Sequence, residues 1–386
     1  MNFAKIGDVC TVVSGSTPKS NVPDYWDGDI VWITPAELTE DSYIIGDSVR
    51  HITQKAVQET SLKPFPVGTV ILSSRAPIGK TAIAGREMYC NQGFKNLICS
   101  SQIYNKYLYF FLSCKTEYLN SLGRGATFKE ISKRIVEKIE IPLPDMVAQK
   151  QIADELEQLR GLERAYRKQI SAFDRLVKSR FVEMFGLPGT DVHGWGMASL
   201  GEICEINPKK SQDARLTNGL LVSFVPMPSV SESGDIDATQ VKPYDEVKTG
   251  FTYFAENDVL FAKITPCMEN GKGAIATGLH NGIGFGSTEF HVLRPAKGTA
   301  TPCWIYTLTV FPQFRIDAAS NMTGSAGQRR VPASFLENYR VSVPPLELQN
   351  RFAAFIAEVD KSKLAVKQSL EKLETLKKSL MQQYFG

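Results

Sequence analysis

The chain has 386 residues, of which 43% are hydrophobic and 22% are charged, and such a composition is typical of a globular protein with two or more domains. Its formal net charge of +3 excludes a strongly basic nucleic-acid binder, so any contact with DNA would have to come from local patches or from partners that add charge. The seven cysteines are scattered without a Cys-x-x-Cys pair, which disfavours a disulfide framework and a zinc site. We expect a soluble, cytoplasmic protein, because the first residues lack the apolar core of a signal peptide and no run reaches the roughly 18 apolar residues of a membrane span.

The first third of the chain predicts a mixed α/β domain. Short apolar, largely β-branched runs at residues 70–72 and 96–98 are bounded by Gly, Pro, Asn and Asp, as strands between turns are. Residues 104–119 place aromatic residues and leucines on one face, which predicts a helix.

A much longer helix is predicted after the prolyl junction at residues 141–144. From residue 147 to 185 no proline occurs, and apolar residues recur in steps of three and four at Ile152, Leu156, Leu159, Tyr166, Ile170, Phe173, Val177 and Phe181. This spacing, sustained for about five heptads, is typical of a coiled coil, and the helix would be about 57 Å long.

The second half of the chain repeats this plan. Residues 131–186 align without gaps with residues 331–386, so that Glu137 matches Glu337, Gln149 matches Gln349 and Phe185 matches Phe385. With gaps, residues 5–10 resemble 199–204 and residues 79–84 resemble 271–276. The second long helix has its apolar residues at Phe352, Ile356, Val359, Val366, Leu370, Leu373, Leu376 and Leu380. Because neither helix can bury its stripe alone, the matched lengths favour pairing of the two copies over separate packing of each helix on its own domain.

No catalytic motif stands out in the sequence. The phosphate-loop-like Gly79-Lys80-Thr81 lacks the glycine five positions earlier, where Ser74 stands, so a turn that offers a lysine to DNA phosphate is the better interpretation. Asp235, Glu246 and Lys248 only faintly match a metal-dependent nuclease, and a solvated loop is favoured. The four histidines show no metal-ligand spacing, and no nucleophile elbow or glycine-rich cofactor fingerprint occurs.

These features resemble the specificity (S) subunits of type I restriction–modification systems. The resemblance rests on the prolyl junctions at 141–144 and 343–346, the helix openings at Gln149 and Gln349, the Phe-Gly closures, and the segments 32–35, 91–94, 286–295 and 323–331. Residues 123–129, the first copy of the last segment, lack its glutamine.

The resemblance implies an α+β fold with two pseudo-symmetric mixed α/β target-recognition domains, joined by two long helices that form an antiparallel coiled coil. The expected bounds are target-recognition domain 1 at 1–143, helical spacer region 1 at 144–186, target-recognition domain 2 at 187–343 and helical spacer region 2 at 344–386. Each domain would read one half of a bipartite double-stranded DNA site. Because the two domains have diverged in sequence, the two half-sites would differ and the site would be asymmetric.

The resemblance also implies partners. The helices would dock two methyltransferase (M) subunits that methylate adenine N6, and through them the restriction (R) subunits. This chain would hold no cofactor and catalyse nothing by itself, because S-adenosylmethionine, ATP and Mg²⁺ belong to those partners. No membrane and no small-molecule substrate is expected.

Loops rich in Arg, Lys, Asn, Gln, Ser and Thr recur at matched positions in both halves, and these are the residue types that contact phosphates and base edges. The predicted DNA-binding residues are Arg75, Lys80, Asn91, Gln92, Lys95, Arg124 and Lys129 in the first half, and Lys263, Lys272, Ser287, Thr288, Glu289, Gln328 and Arg329 in the second.

Three alternatives remain open from the sequence. The chain could be the recognition subunit of a type IIB-like restriction–modification enzyme, which uses the same split-site logic. It could be a coiled-coil interaction scaffold that reads no DNA, although a scaffold has no reason to diversify its domains and keep its helices. It could be a self-sufficient nuclease or methyltransferase, against which the missing motifs argue.

Overall fold

A computed structural model describes residues 2–60, 62–125, 129–325 and 327–386. The chain divides into two compact units, which we refer to as unit 1 (Met1–Arg167 with Gln368–Gly386) and unit 2 (Lys168–Lys367). Each unit therefore contains the beginning of one long helix and the end of the other. None of the helices within these described ranges is long and apolar enough to cross a membrane.

The first half of the chain contains ten strands and six α-helices in the described residues. The strands are β1 Phe3–Lys5, β2 Cys10–Ser14, β3 Trp26–Ile33, β4 Ile44–Ile45, β5 His51–Ile52, β6 Val70–Ser73, β7 Thr81–Ala84, β8 Tyr89–Cys90, β9 Phe94–Cys99 and β10 Glu140–Pro142. The helices are α1 Ile6–Val9, α2 Gln54–Glu59, α3 Asn105–Cys114, α4 Thr116–Leu122, α5 Lys133–Glu137 and α6 Met146–Phe185.

The second half also contains ten strands and six α-helices in the described residues, and it also ends with a long helix. Its strands are β11 Met197–Ser199, β12 Cys204–Ile206, β13 Leu221–Val225, β14 Val241–Pro243, β15 Thr252–Ala255, β16 Val259–Ala262, β17 Gly273–Ile275, β18 Ile283–Gly286, β19 Phe290–Pro295 and β20 Arg340–Ser342. Its helices are α7 Leu200–Ile203, α8 Tyr244–Val247, α9 Pro302–Val310, α10 Pro312–Ser320, α11 Ala333–Asn338 and α12 Leu346–Phe385.

The sheets of the two units have closely related topologies. Unit 1 has a five-stranded sheet in the order β2-β9-β6-β7-β4, a three-stranded sheet β5-β3-β8 and the short pair β1-β10. Unit 2 has the four-stranded sheets β12-β19-β16-β17 and β14-β13-β18-β15 and the short pair β11-β20. In both units the two central strands, β6 with β9 and β16 with β19, run antiparallel. Strands β6 and β16 are buried along their whole length, as their apolar sequences require.

A buried glutamine fixes the start of each long helix to its unit. Gln149 accepts a hydrogen bond from the Tyr104 amide at 2.8 Å and donates to the carbonyl oxygens of Gln102 at 3.0 Å and Pro144 at 2.9 Å. Gln349 makes the same three bonds in unit 2, with the Thr301 amide and the carbonyl oxygens of Thr299 and Pro344. The two side chains are 1% and 0% exposed. In each unit this glutamine thus attaches the start of a long helix to the globular part, and we refer to this attachment as the glutamine joint.

In unit 1 the first part of α6 packs against the last part of α12. Glu163 pairs with Lys377 at 2.7 Å, and Arg167 pairs with Glu374 at 2.6 Å, so that rising numbers on one helix meet falling numbers on the other. Phe385, near the end of α12, is buried against the rings of Tyr107 and Phe111 of α3. The helices therefore run antiparallel here.

Unit 2 shows the same arrangement with the helix roles exchanged. Asp174 of α6 pairs with Lys363 of α12 at 2.5 Å. The Phe185 ring, at the end of α6, lies 5.2 Å from that of Phe352, near the beginning of α12. Phe181 and Trp304 belong to the same buried cluster.

A glycine in the left-handed region ends each long helix. Gly186 has φ +78° and Gly386 has φ +83°, and their amides donate to the carbonyl oxygens four residues earlier, those of Val182 and Gln382, at 2.9 Å each. This is the αL cap, which favours a residue without a Cβ. The Phe-Gly closures are therefore a buried anchor followed by a helix stop.

The predicted α+β fold, with two mixed domains and two long paired helices, is confirmed. The first long helix, predicted at 147–185, spans 146–185, and the second, whose apolar spacing runs from 352 to 380, spans 346–385. The helix predicted at 104–119 is divided into α3 and α4. The predicted four-part division stays a prediction, since compactness groups each helix end with a globular part.

Gln149→Ala should destabilise unit 1 by roughly 3 kcal/mol, because it removes three hydrogen bonds worth about 1 kcal/mol each and leaves buried backbone groups unpaired. Urea unfolding followed by circular dichroism measures the change in midpoint. Gln151→Ala, at an exposed position on the same helix, is the matched control and should change stability by less than about 0.5 kcal/mol. Equal losses in the two variants would contradict the joint role.

Candidate nucleic-acid interface

Three segments meet at one end of the central strand pair in each unit. In unit 1, Ser73 at the end of β6 faces Phe94 at the start of β9, which brings the residues after β6 beside those before β9. Glu130 adds the third segment through β-bridges with Arg75 and Arg124. In unit 2, Ala262 faces Phe290, and Arg330 forms bridges with Ile264 and Thr323. Most of the predicted DNA-binding residues lie on these segments.

A carboxylate held by two cations occupies this position in unit 1. Glu130 accepts hydrogen bonds from Arg75 Nε at 2.9 Å and Lys95 Nζ at 3.1 Å. Lys95 Nζ also lies 3.3 Å from the Ser74 hydroxyl. We refer to Ser74, Arg75, Lys95 and Glu130 as the Glu130 cluster.

Two opposing effects set the charge of Glu130. Burial disfavours the ionised carboxylate and is the largest single effect, but the hydrogen bonds from Arg75 and Lys95 outweigh it and hold the pKa of Glu130 below its ordinary value. The carboxylate is therefore ionised at neutral pH, and each cation of the cluster has a counter-charge.

The equivalent position in unit 2 carries the same chemistry on different residues. Arg330 binds Glu289 in a bidentate manner, with Nε 2.9 Å from Oε2 and Nη2 2.8 Å from Oε1. His291 Nε2 lies 2.8 Å from the Val331 carbonyl oxygen, to which it donates. We refer to Lys263, Glu289, His291 and Arg330 as the Glu289 cluster.

The Glu289 cluster also contains one firmly ionised carboxylate. The hydrogen bond from Arg330 is the main cause that lowers the pKa of Glu289. Burial lowers the pKa of Lys263 and that of His291, which keeps the imidazole neutral at neutral pH. The cluster thus holds two cations and one anion, as the Glu130 cluster does.

At matched positions, the two clusters carry side chains of different charge. Glu130 and Arg330 occupy the same place in the bridge pattern and carry opposite charges. Lys95 faces Leu72 across the central strands as His291 faces Phe261, so the lysine of one unit is a neutral imidazole in the other. The backbone frame is therefore shared, while the positions of charge and of donor groups differ.

Eight of the other predicted residues fall into two groups. The side chains of Gln92, Arg124, Lys129, Thr288, Gln328 and Arg329 are exposed. Asn91 and Ser287 hold turns instead, since their side-chain oxygens accept from the amides of Gly93 at 2.9 Å and Glu289 at 3.2 Å. Residues 126–128 of the predicted segment 123–129, and residue 326 of the segment 323–331, lie outside the described residues.

Three predicted lysines have partners inside the protein. Lys80 donates to the Leu38 carbonyl oxygen, and Lys272 donates to the Met227 carbonyl oxygen at 3.3 Å, so each ties its turn to a neighbouring segment. Lys95 is only 5% exposed. The structure therefore places these three ammonium groups against other parts of the protein, and the contact of Lys80, Lys95 and Lys272 with DNA stays a prediction.

Sequence reasoning missed Glu130, the centre of its cluster. Its partners are 35 and 55 residues away in sequence, and no periodic pattern connects them. The available signal was the ungapped repeat, which, when it is extended by two residues before its start at 131, aligns Lys129-Glu130 with Arg329-Arg330 and shows a charge reversal at a matched position.

The described residues contain no group of three or more His, Cys, Asp or Glu side chains that could hold a metal ion. Asp235, from the weak nuclease-like set, accepts hydrogen bonds from the hydroxyl groups of Ser231 and Ser233 in its own loop. Lys248 pairs with Asp245. These residues take part in local turn contacts.

Arg75→Met should raise the pKa of Glu130, because burial would then oppose one hydrogen bond fewer. A lowered pKa in the folded state gives stability above the ordinary Glu range, which is lost as the pH falls through the folded pKa. The variant should therefore be less stable than wild type at neutral pH and lose less stability on acidification. Carbon-13 NMR of the Glu130 carboxyl measures the pKa, with the exposed Arg86→Met as control. An unchanged pKa in Arg75→Met would contradict the cluster geometry.

Similar proteins share parts of this sequence. The MjaIX specificity subunit of a type I restriction enzyme from Methanocaldococcus jannaschii is 41% identical over 184 residues, which are 47% of this chain and 43% of that protein. The EcoAI specificity subunit from Escherichia coli is 44% identical over 161 residues, which are 41% of this chain and 26% of that protein. The chain thus spans less than half the length of these curated relatives.

Solved structures share the fold over the whole chain. A chain from work on complex assembly and conformational transition of the type I R-M system has a TM-score of 0.59 at 18% identity, covering 99% of this chain and 97% of that one. The S subunit from M. genitalium has a TM-score of 0.56 at 14% identity, covering 100% and 96%. The family model of the type I restriction modification DNA specificity domain matches residues 1–172 and 193–376, and the chain therefore belongs to that family.

Proposed function

We propose that the chain is the DNA sequence-specificity subunit of a type I restriction–modification system, and that each unit reads one half of a bipartite, asymmetric DNA site. The observation that carries the proposal is the charge cluster that occurs in both units. The same backbone frame lies at the same place in each unit, but the charged and hydrogen-bonding side chains on it differ. A protein backbone frame that both units share can dock on the sugar-phosphate backbone, which is the same in every DNA sequence. Hydrogen-bond donors that differ between the units can discriminate between bases.

The exposed polar side chains around each cluster suit direct reading of bases. Gln92 in unit 1 and Gln328 in unit 2 can bond adenine in a bidentate manner, and Arg124 and Arg329 can do the same with guanine. In this proposal Glu130 and Glu289 hold the neighbouring cations in place when DNA is absent. Lys80, Lys95 and Lys272 support the loops from below.

The long helices are proposed to dock the methyltransferase subunits, and the restriction subunits through them. Leu162 and Leu376 in unit 1, and Leu176 and Leu364 in unit 2, are about half exposed although they lie on paired helices. These exposed apolar side chains are available for contact with a partner. Catalysis, and with it S-adenosylmethionine, ATP and Mg²⁺, is assigned to those partners, and this chain is assigned recognition only.

Gln92→Ala should relax the specificity of one half-site only, and Gln328→Ala should relax that of the other. Loss of a bidentate contact with adenine is worth about 1–3 kcal/mol, or roughly 5- to 150-fold in discrimination. Methylation mapping with the assembled methyltransferase complex measures both half-sites at once. Gln151→Ala on α6 is the control and should leave the methylated sequence unchanged.

The same experiment tests the proposal as a whole. A complex that methylates one bipartite site with wild-type chain, and a relaxed half-site with each variant, supports it. If Gln92→Ala relaxed both half-sites, the two units would not be independent readers. If neither variant changed the sequence methylated, neither glutamine would read a base.

Arg329→Met separates phosphate contacts from base contacts. If Arg329 contacts a guanine, as proposed, the variant should lose discrimination at one base pair. A contact with phosphate alone would instead weaken binding to every sequence and lower the slope of log K against log salt by about one. DNA binding by the assembled complex at several salt concentrations distinguishes the two. Lys361→Met, at an exposed position on α12, is the charge-matched control.

A further inference from the structure

Two cysteines of unit 1 face each other across neighbouring antiparallel strands. Cys10 is the first residue of β2 and Cys99 is the last residue of β9, and the two are direct partners in the strand register. Both thiols are free. The spacing of the cysteines along the chain disfavours a disulfide framework, but the sheet brings this pair together.

The pair occupies a position in the ladder that suits a disulfide. The Ser100 amide donates to the Val9 carbonyl oxygen at 2.9 Å, and the Cys10 amide donates to the Ile6 carbonyl oxygen instead of to Cys99. Cys10 and Cys99 are therefore a non-hydrogen-bonded pair, in which the Cα atoms are about 4.5 Å apart and the side chains are closest. A disulfide spans Cα separations of about 4.4–6.8 Å, so the strands need not separate to form one.

The two thiols differ in their access to solvent. A hydrogen bond with the Cys99 thiol is the main cause that raises the pKa of Cys10, and burial adds to it, so the two sulfur atoms are neighbours. Cys10 is 7% exposed, whereas Cys99 is half-buried. A reagent in solution therefore reaches the Cys99 sulfur first and finds the Cys10 sulfur beside it.

The internal repeat keeps the first cysteine and lacks the second. Cys204 of β12 matches Cys10, and its amide donates to the Leu200 carbonyl oxygen as that of Cys10 does to Ile6. The register partner of Cys204 is Pro295 of β19, which has no thiol. Burial raises the pKa of Cys204 to about 12. Packing in the core accounts for a cysteine at this place in both units, whereas the facing thiol occurs in unit 1 alone.

We propose that Cys10 and Cys99 are a dithiol site that a low-molecular-weight disulfide oxidises to a cross-strand disulfide. The Cys99 thiolate attacks one sulfur of the reagent, forms a mixed disulfide and releases one thiolate of the reagent. The Cys10 sulfur, after its proton has passed to water, attacks the Cys99 sulfur and releases the second thiolate. The two cysteines thereby lose two protons and two electrons, and the reagent is reduced to two thiols.

The bond would restrain an edge strand. In the five-stranded sheet β2 pairs with β9 and has no partner on its other side within the described residues. Elements held on one side only are among the first to open. At the far end of the same strand pair, Ser14 faces Lys95 of the Glu130 cluster. The disulfide would therefore hold in place the strand pair that carries Lys95.

Oxidation of the full chain by glutathione tests the site. The reduced protein is incubated in buffers with an increasing share of oxidised glutathione, its remaining thiols are alkylated with N-ethylmaleimide in denaturant, and the digest is analysed by mass spectrometry. A peptide pair linked through Cys10 and Cys99 should appear as both alkylated peptides disappear together, while Cys204 stays alkylated. Two alkylated cysteines in fully oxidised buffer, or a glutathione adduct on Cys99 that persists without the link, would overturn the proposal.

Two serine variants separate this site from general oxidation. Cys99→Ser, at the half-buried position, should form no link and leave Cys10 fully open to alkylation in denaturant. Cys204→Ser, at the matched position of unit 2, should form the Cys10–Cys99 link to the same extent as wild type. Circular dichroism verifies that both variants are folded. A link in wild type that Cys204→Ser reduces equally would arise from unfolded chains and refute the site.

Amide hydrogen exchange measures the restraint on β2. The amides of Thr11 and Val13, which the alternation of the ladder directs at β9, should exchange roughly tenfold more slowly in the oxidised chain than in the reduced one. The same amides in Cys99→Ser should be unaffected by the oxidant. Equal exchange in oxidised and reduced wild type would show that the bond does not restrain the edge strand.

Discussion

Neither long helix can bury its apolar stripe alone, and the architecture depends on how this constraint is met. Each unit combines the beginning of one helix with the end of the other, so Phe385 completes the core around Tyr107, and Phe185 completes the core around Phe352. The burial of two aromatic anchors and of the stripe between them supplies the stabilisation that isolated helices lack. The core of each unit therefore needs residues from both halves of the sequence, because each long helix begins in one unit and ends in the other.

This exchange leaves the surface at the ends of the central strands free to diverge. The strand pairing and the glutamine joint hold the backbone, so a change at Glu130 or Arg330 alters charge without altering the frame. Charge is nevertheless constrained, because a half-buried cation needs a counter-charge. The carboxylate moves from the third segment in unit 1 to the strand entrance at Glu289 in unit 2, and the balance of charges is kept.

The sequence predicted long-range order better than local pairing. Each long helix has forty residues, and its apolar residues recur with a period of about 3.6 over many turns. Because the evidence for a helix increases with each turn, the sequence predicts both helices almost to their ends. The strand partners could not be predicted, since β6 and β16 are buried on both faces and carry no alternation. The loops of the candidate interface were found from composition, but the burial of Lys95 and the role of Glu130 depend on partners that are distant in sequence. Gln149 was recognised as a motif, yet two of its partners are backbone carbonyl oxygens, which no side-chain pattern reveals.

The repeat also separates what is structural from what is particular to one unit. Gln149 and Gln349, and Gly186 and Gly386, keep both residue type and contacts, because helix attachment and helix termination impose the same demands twice. Arg160 and Asp360 stand at matched positions on the helices, yet one fills space against Tyr43 and the other borders a cavity. Divergence is thus not confined to the surface proposed to read DNA.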